Sequence, residues 1–116
     1  MYEDRPTPGT LGEPRKAHYG AGRQPWDIIL DAGWAPEYAA GNVLKYMRRT
    51  KDPEHSLESA RWFYARLYEM MVGRLLPTGA VGSPRRISRV VGRAAAVMVA
   101  LNDELTADEK KVLAPS

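Results

Sequence analysis

"SLESARWFYARLYEMMVGRLL", residues 56–76, is the stretch that decides the fold. Its apolar residues recur every three or four positions, the spacing of one face of an α-helix. They are Leu57, Ala60, Phe63, Tyr64, Leu67, Met70 and Met71. The stretch therefore predicts a long helix, beginning at Pro53 or Ser56, that faces a core.

Proline, glycine and capping residues divide the rest of the chain into further helices. The first is predicted to begin at Pro25 and to stop at Gly33, and the second begins at Pro36 and runs to the sequence KDPEH. Ser83 is the predicted N-cap of a fourth helix, and Thr106–Glu109 reads as a capping box that opens a short last turn. The sequence thus predicts four main helices, with the third and fourth the longest.

No segment of useful length alternates apolar and polar residues, so we predict an all-α bundle without a β-sheet. Residues 1–17 are rich in proline and glycine and have no helical periodicity. We interpret them as an extended arm and residues 18–116 as a single helical domain.

The composition bounds the class of protein. The chain has 116 residues, of which 44% are hydrophobic, a proportion typical of a folded domain. There is no cysteine, which excludes disulfides, thiolate metal sites and a cysteine nucleophile. No apolar run approaches the roughly 18 residues of a membrane span, so the sequence predicts a cytoplasmic protein without a membrane partner. Its net charge of +3 favours phosphate-bearing partners.

The second helix carries a polar stripe, made of Tyr38, Asn42, Lys45 and Arg49. Such a stripe can be a solvated face, which is the commoner case. However, its charges are all basic, without a glutamate at i+4 spacing to neutralise them. From the residues alone, a solvated face and an anion site remain equally open.

Trp62 falls on the polar side of the third helix, beside Glu58, Arg66 and Glu69. A tryptophan among charges is usually covered by an arm, a second subunit or a flat ligand. We favour a subunit, and predict a homo-oligomer assembled through the Trp62 face or the fourth helix.

Arginines form a ladder along the fourth helix, at Arg85, Arg89 and Arg93. The ladder repels itself unless it pairs with carboxylates, for which Glu58 and Glu69 are candidates, or with phosphates. The preceding loop ends in a helix N-terminus, which offers free amides to an anion. The sequence therefore predicts a secondary anion site, made of Ser83, Arg85, Arg86, Arg89 and Arg93.

Neither metal nor cofactor is predicted. The carboxylates are too sparse for a magnesium cage on facing helices, and His18 and His55 each lack a second ligand at metal spacing. We therefore expect binding of phosphates without efficient magnesium-dependent hydrolysis, and assign no catalytic residue.

Two segments together resemble the SaV-like family of small phage proteins, whose function is unknown and which are often described as nucleotide kinases. The segments are HYGAGRQPWDII, residues 18–29, and AAGNVLKYMRRTKDPEHSLESARWFYARL, residues 39–67. The family pattern contains H-Y, P-x-D-x-I and G-N-x-x-K-Y-x-x-R, followed by D-L-x-K-A-x-W-Y-L, whose first four positions read SLES in this chain. The matched positions are His18, Tyr19, Pro25, Asp27, Ile28, Gly41, Asn42, Lys45, Tyr46 and Arg49.

The resemblance favours ligand binding over a solvated face and implies that the ligand is a nucleotide. Lys45 and Arg49 would contact phosphate, and Asn42 and His18 would supply hydrogen bonds. The candidates for stacking on a base are Tyr19, Trp26 and Trp62.

Three classes of function remain open. The first is nucleotide metabolism with phosphoryl transfer, as the resemblance implies. The second is a non-catalytic oligomeric sponge that sequesters a nucleotide immune signal in the infected host cell. The third, which a net charge of only +3 disfavours, is a DNA-binding accessory protein that uses the arginines of the fourth helix.

Overall fold

The computed structural model describes residues 2–4, 15–16 and 23–114, and its architecture is all-α. Five helices follow one another along residues 23–114. They are α1 (Pro25–Ala32), α2 (Ala35–Met47), α3 (Pro53–Met71), α4 (Pro84–Glu104) and α5 (Ala107–Leu113), with a 3-10 turn at Thr78–Ala80 between α3 and α4. The four predicted main helices are confirmed as α1 to α4, and α3 and α4 are the longest, with 19 and 21 residues.

Local signals set several helix borders, as the sequence predicts. Gly33 ends α1 in the left-handed conformation, with a φ of 84°, which costs glycine little. The Ser83 hydroxyl accepts a hydrogen bond from the backbone N–H of Arg86 and caps α4. Thr106 and Glu109 form the predicted capping box at the start of α5.

Two helices end earlier than their apolar patterns suggest. α2 stops at Met47, so Arg49 lies beyond the helix instead of on its polar stripe. The chain turns at Asp52, which has a φ of 47°, and the proline after it disfavours a helical conformation at that residue. α3 ends before Gly73, whose φ of 78° breaks the helix, although the pattern extends to residue 76.

The N-terminal arm requires one correction. β1 (Tyr2–Asp4) and β2 (Arg15–Lys16) pair antiparallel, with Tyr2 opposite Lys16 and Asp4 opposite Arg15. The expectation of no β-sheet is therefore confirmed for residues 23–114 but not for this short ribbon. Extended backbone satisfies its N–H and C=O groups by pairing with a second extended segment, which sequence periodicity over two or three residues does not reveal.

The core forms around α3, which packs against α2, α4 and α5. Its predicted apolar face is confirmed, since Ala60, Phe63, Leu67 and Met70 are all buried. The other helices cover this face with a set of buried apolar residues: Trp26, Ala39, Val43, Ala94, Met98, Leu101 and Leu113.

α4 is buried only along its second half. Its buried residues begin at Ala94, whereas Ile87 and Val90, at helical spacing on the same apolar face in its first half, are only half-buried. The first half packs mainly beside the 3-10 turn and so forms one wall of an open cleft.

The long helices carry charged side chains at intervals along their length. No helix in the described ranges has both the length and the apolar composition needed to cross a membrane.

Candidate functional site

The polar stripe of α2 is positioned by the apolar face opposite it. Ala39 and Val43 are fully buried against α3, which turns Lys45 outward and leaves Asn42 half-buried. The amide nitrogen of Asn42 donates to the carbonyl oxygen of Tyr38 in its own helix, at 2.9 Å. This hydrogen bond fixes the side chain and leaves its amide oxygen to accept from another group.

Five aromatic rings lie beside the stripe and join the first three helices. This aromatic cluster consists of Trp26 from α1, Tyr38 and Tyr46 from α2, and Trp62 and Phe63 from α3. Phe63 is at its centre, with ring centroids 5.0 Å from Trp62 and 5.7 Å from Tyr38, both edge-to-face, and 6.2 Å from Tyr46, stacked. These separations are in the favourable range for aromatic pairs.

Two cations lie over Tyr46, a ring at the edge of the aromatic cluster. The Nζ atom of Lys45 lies 5.0 Å from the centroid of Tyr46, and the guanidinium carbon of Arg49 lies 5.9 Å from it. Both side chains are exposed, and neither is ion-paired with a described carboxylate. Arg49, two residues past the end of α2, thus still lies beside the polar stripe. One edge of the cluster carries two cations that are available to an anion.

Two residues at the start of α1 bury polar atoms that have no hydrogen-bond partner among the described residues. Gln24, the residue before α1, is 3% exposed, and neither its amide nitrogen nor its amide oxygen is paired within that part of the chain. The same holds for the indole nitrogen of Trp26, whose ring belongs to the aromatic cluster. Leaving such a group unpaired costs about 1–3 kcal/mol, so a donor or acceptor from outside the described residues would stabilise this region.

Gln24 was missed by the sequence analysis. A glutamine before a proline is ordinary in an exposed loop, and only the packing of Trp26 shows that the position is inside. Its single signal was its place within the segment that resembles the phage family.

The two predicted stacking tryptophans are less open than expected. Trp26 has no exposed surface and is a core residue, so it can present an edge or its nitrogen but not a free face. Trp62 is half-buried, its ring is 5.2 Å from Trp26, and the guanidinium carbon of Arg66 is 4.9 Å from its centroid. Trp62 is thus partly covered by its own chain and packs against the core without belonging to its buried set. Arg66 is itself paired with Glu69, at 2.8 Å.

The structure says nothing about two of the predicted residues. His18 and Tyr19 lie outside the described residues. Their roles as hydrogen-bond donor and stacking surface stay predictions.

A second site lies between α1, the 3-10 turn and α4, and we call it the α1–α4 cleft. Its volume is about 330 Å³, and its wall includes three of the predicted anion-binding arginines, Arg86, Arg89 and Arg93. Ser83 caps the helix instead of lining the cleft, and Arg85 points elsewhere on the exposed surface. The cleft thus brings together three of the five residues of the predicted secondary anion site, Arg86, Arg89 and Arg93.

The arginine ladder does not pair with the carboxylates that the sequence suggested. Arg93 makes a two-pronged ion pair with Glu37 of α2, at 2.8 and 2.7 Å. Glu69 is held by an arginine in its own helix, and Arg85 and Arg89 have no ion pair with any described residue. Glu37 sits in the first turn of α2, and only the crossing of α2 and α4 brings it to the ladder.

The carboxylates near the cleft are ionised and already engaged. Hydrogen bonds from the backbone N–H and the hydroxyl of Thr78, aided by Arg23, hold the pKa of Asp31 below its ordinary value of 3.8. The hydrogen bond from Arg93 lowers the pKa of Glu37 below its ordinary 4.5. Across the described ranges, no three His, Asp or Glu side chains are grouped as metal ligands would be.

Comparisons of the chain with known protein families, with curated proteins and with solved structures found no match. The chemistry of the aromatic cluster and of the α1–α4 cleft therefore carries the functional assignment.

Proposed function

We propose that the protein binds a nucleotide at the edge of the aromatic cluster. One observation carries this proposal: Trp26, whose buried indole nitrogen has no partner among the described residues, belongs to the same aromatic cluster as Tyr46, over which Lys45 and Arg49 lie. A nucleotide has the matching parts, since its base is flat and has hydrogen-bonding edges, and its phosphates are anionic.

Each group has a role suited to its chemistry. Lys45 and Arg49 attract phosphate oxygens, as charge-assisted donors do. Gln24 offers both a donor and an acceptor to the edge of a base, and the amide oxygen of Asn42 accepts from an amine or a hydroxyl group. His18 and Tyr19 remain candidates from the family resemblance.

The same site supports two outcomes for the bound nucleotide. Cations, amides and rings hold a nucleotide and stabilise charge on a transferred phosphoryl group. They also suffice for a protein that only sequesters a nucleotide signal. Phosphoryl transfer follows the family resemblance, and sequestration requires nothing beyond the groups at the aromatic cluster.

The proposal is tested by calorimetric titration of a panel of nucleoside mono-, di- and triphosphates into the parent, Lys45→Ala and Arg49→Ala. Each substitution is expected to weaken binding by about 1.5–3 kcal/mol, the range for a charge-assisted hydrogen bond. Lys111→Ala removes an exposed cation of α5 and is the matched control. If Lys45→Ala and Arg49→Ala both bind nucleotides as tightly as the parent does, the nucleotide site lies elsewhere.

Incubation with magnesium, followed by chromatography of the nucleotides, then separates the two outcomes. Converted nucleotide identifies phosphoryl transfer or hydrolysis, and tightly bound, unchanged nucleotide identifies sequestration.

A further inference from the structure

The α1–α4 cleft has an apolar floor that the nucleotide proposal does not use. Leu30 of α1, Met70 of α3 and Val90 of α4 contribute to it, and Pro36 and Pro77 border it. An apolar surface inside a cleft is poorly suited to water and well suited to the apolar part of a small ligand.

One wall of the cleft is cationic and rigid. The guanidinium of Arg86 is fixed by donation to the carbonyl oxygen of Gly79, at 3.0 Å, and that of Arg93 is fixed by Glu37. Arg89 stands between them on α4 and has no ion pair with any described residue. Arg86 and Arg93 are thus held in place on either side of Arg89, and no described carboxylate forms an ion pair with Arg86 or Arg89.

The negative charge in the cleft does not cancel this wall. Asp31 is the carboxylate in the lining, and it already accepts from Thr78 and pairs with Arg23. Because its pKa is lowered by these contacts, it stays ionised and engaged at neutral pH. An incoming anion therefore meets three guanidiniums, and the two carboxylates nearby, Asp31 and Glu37, are already engaged with Arg23 and Arg93.

We propose that the α1–α4 cleft binds a small organic anion, with its oxyanion head at Arg89 and a compact apolar body on the floor. The shared chemistry is a single phosphate or carboxylate group on a small apolar frame. A volume of about 330 Å³ is at the lower end of the range for small-molecule sites, which suits a compact ligand. The site is separate from the aromatic cluster and does not depend on the nucleotide proposal.

The probes are phenyl phosphate, benzoate, inorganic phosphate and benzyl alcohol, titrated into the full-length protein and followed by ligand-observed NMR. We expect phenyl phosphate or benzoate to bind, and inorganic phosphate and benzyl alcohol to bind at least tenfold more weakly. Binding of both aromatic acids indicates a general oxyanion site, and binding of one assigns the head group. If neither binds, or if inorganic phosphate binds as tightly as phenyl phosphate, the proposal is overturned.

Substitutions of two neighbouring arginines of α4 test whether the ligand binds in the cleft. Arg89→Gln is expected to reduce affinity at least tenfold, whereas Arg85→Gln, on the same helix but outside the cleft, leaves it unchanged. Val90→Phe fills the floor and is expected to block the aromatic acids while the helical circular dichroism is retained. Equal losses in Arg89→Gln and Arg85→Gln would show general attraction by α4 and contradict the proposal.

Lys45→Ala separates this proposal from the nucleotide site. It is expected to keep the affinity for the aromatic acid. A loss as large as that in Arg89→Gln would mean that the acid binds at the aromatic cluster instead of in the cleft.

Discussion

Gln24 illustrates the free-energy cost of burying a single polar side chain. Its amide nitrogen and oxygen have no hydrogen-bond partner among the described residues, at 3% exposure. An apolar side chain of similar length would avoid the desolvation penalty of these two groups.

Gln24→Met is therefore expected to raise the free energy of unfolding by about 1–3 kcal/mol, the cost of unpaired buried groups, while weakening nucleotide binding. Urea denaturation of the ligand-free protein measures the first effect, and calorimetry the second. Gln24→Glu has the same shape but buries a charge, and it should lower stability. A ligand-free Gln24→Met protein less stable than the parent would contradict this account of Gln24.

At the residue scale, the sequence singles out the cations beside the aromatic cluster and in the α1–α4 cleft, but not the buried amide of Gln24. Lys45, Arg49 and Arg89 stand out because like charges recur at helical spacing without acidic neighbours. The burial of Gln24 and Trp26 depends on how α1 meets α3, which involves residues far apart in sequence.

The Glu37–Arg93 ion pair joins α2 to α4 where the two helices cross. Both side chains are about half exposed, so solvent screens the pair and its contribution is about 0.2–1 kcal/mol despite its two-pronged geometry. The pair also fixes one arginine of the α1–α4 cleft.

This pair gives the protein a predictable acid sensitivity. Because Arg93 lowers the pKa of Glu37 below the ordinary 4.5, the pair contributes stability above that pH, and the contribution is lost as the pH falls through the folded-state pKa. Glu37→Gln should therefore be slightly less stable than the parent at pH 7 and equally stable at pH 2–3. Urea titrations at both pH values measure the difference. A constant difference between them would assign the effect to packing and not to charge.

The sequence predicts the borders of helices correctly where the capping or stop signal is local. Gly33, Ser83 and the Thr106–Glu109 box act within a few residues, and each border is confirmed. The left-handed conformation of Asp52 belongs to the turn that leads into α3, and the partner of Arg93 depends on a helix crossing. Neither follows from periodicity.

At the scale of the whole molecule, the predicted homo-oligomer stays a prediction. Trp62 is largely covered by its own chain, so the fourth helix is the better candidate for an interface. Val99 on α4 is 62% exposed, so an interface on this helix would bury it.

Multi-angle light scattering at micromolar concentration tests the assembly. We expect the parent to be larger than a monomer and Val99→Glu to shift it toward one, since a charge in an apolar interface is costly. Val81→Glu alters a 69% exposed valine outside the helices and is the control. A parent that is monomeric under these conditions would refute the assembly.

α1 contributes residues to both the aromatic cluster and the α1–α4 cleft. It is only eight residues long, about 12 Å at the rise of an α-helix, with Trp26 near its start in the aromatic cluster and Leu30 and Asp31 near its end in the α1–α4 cleft. A tilt that improves the fit at one end displaces the other end. Thermodynamic linkage is reciprocal, so whatever factor an occupant of one site imposes on the affinity of the other is returned in equal measure.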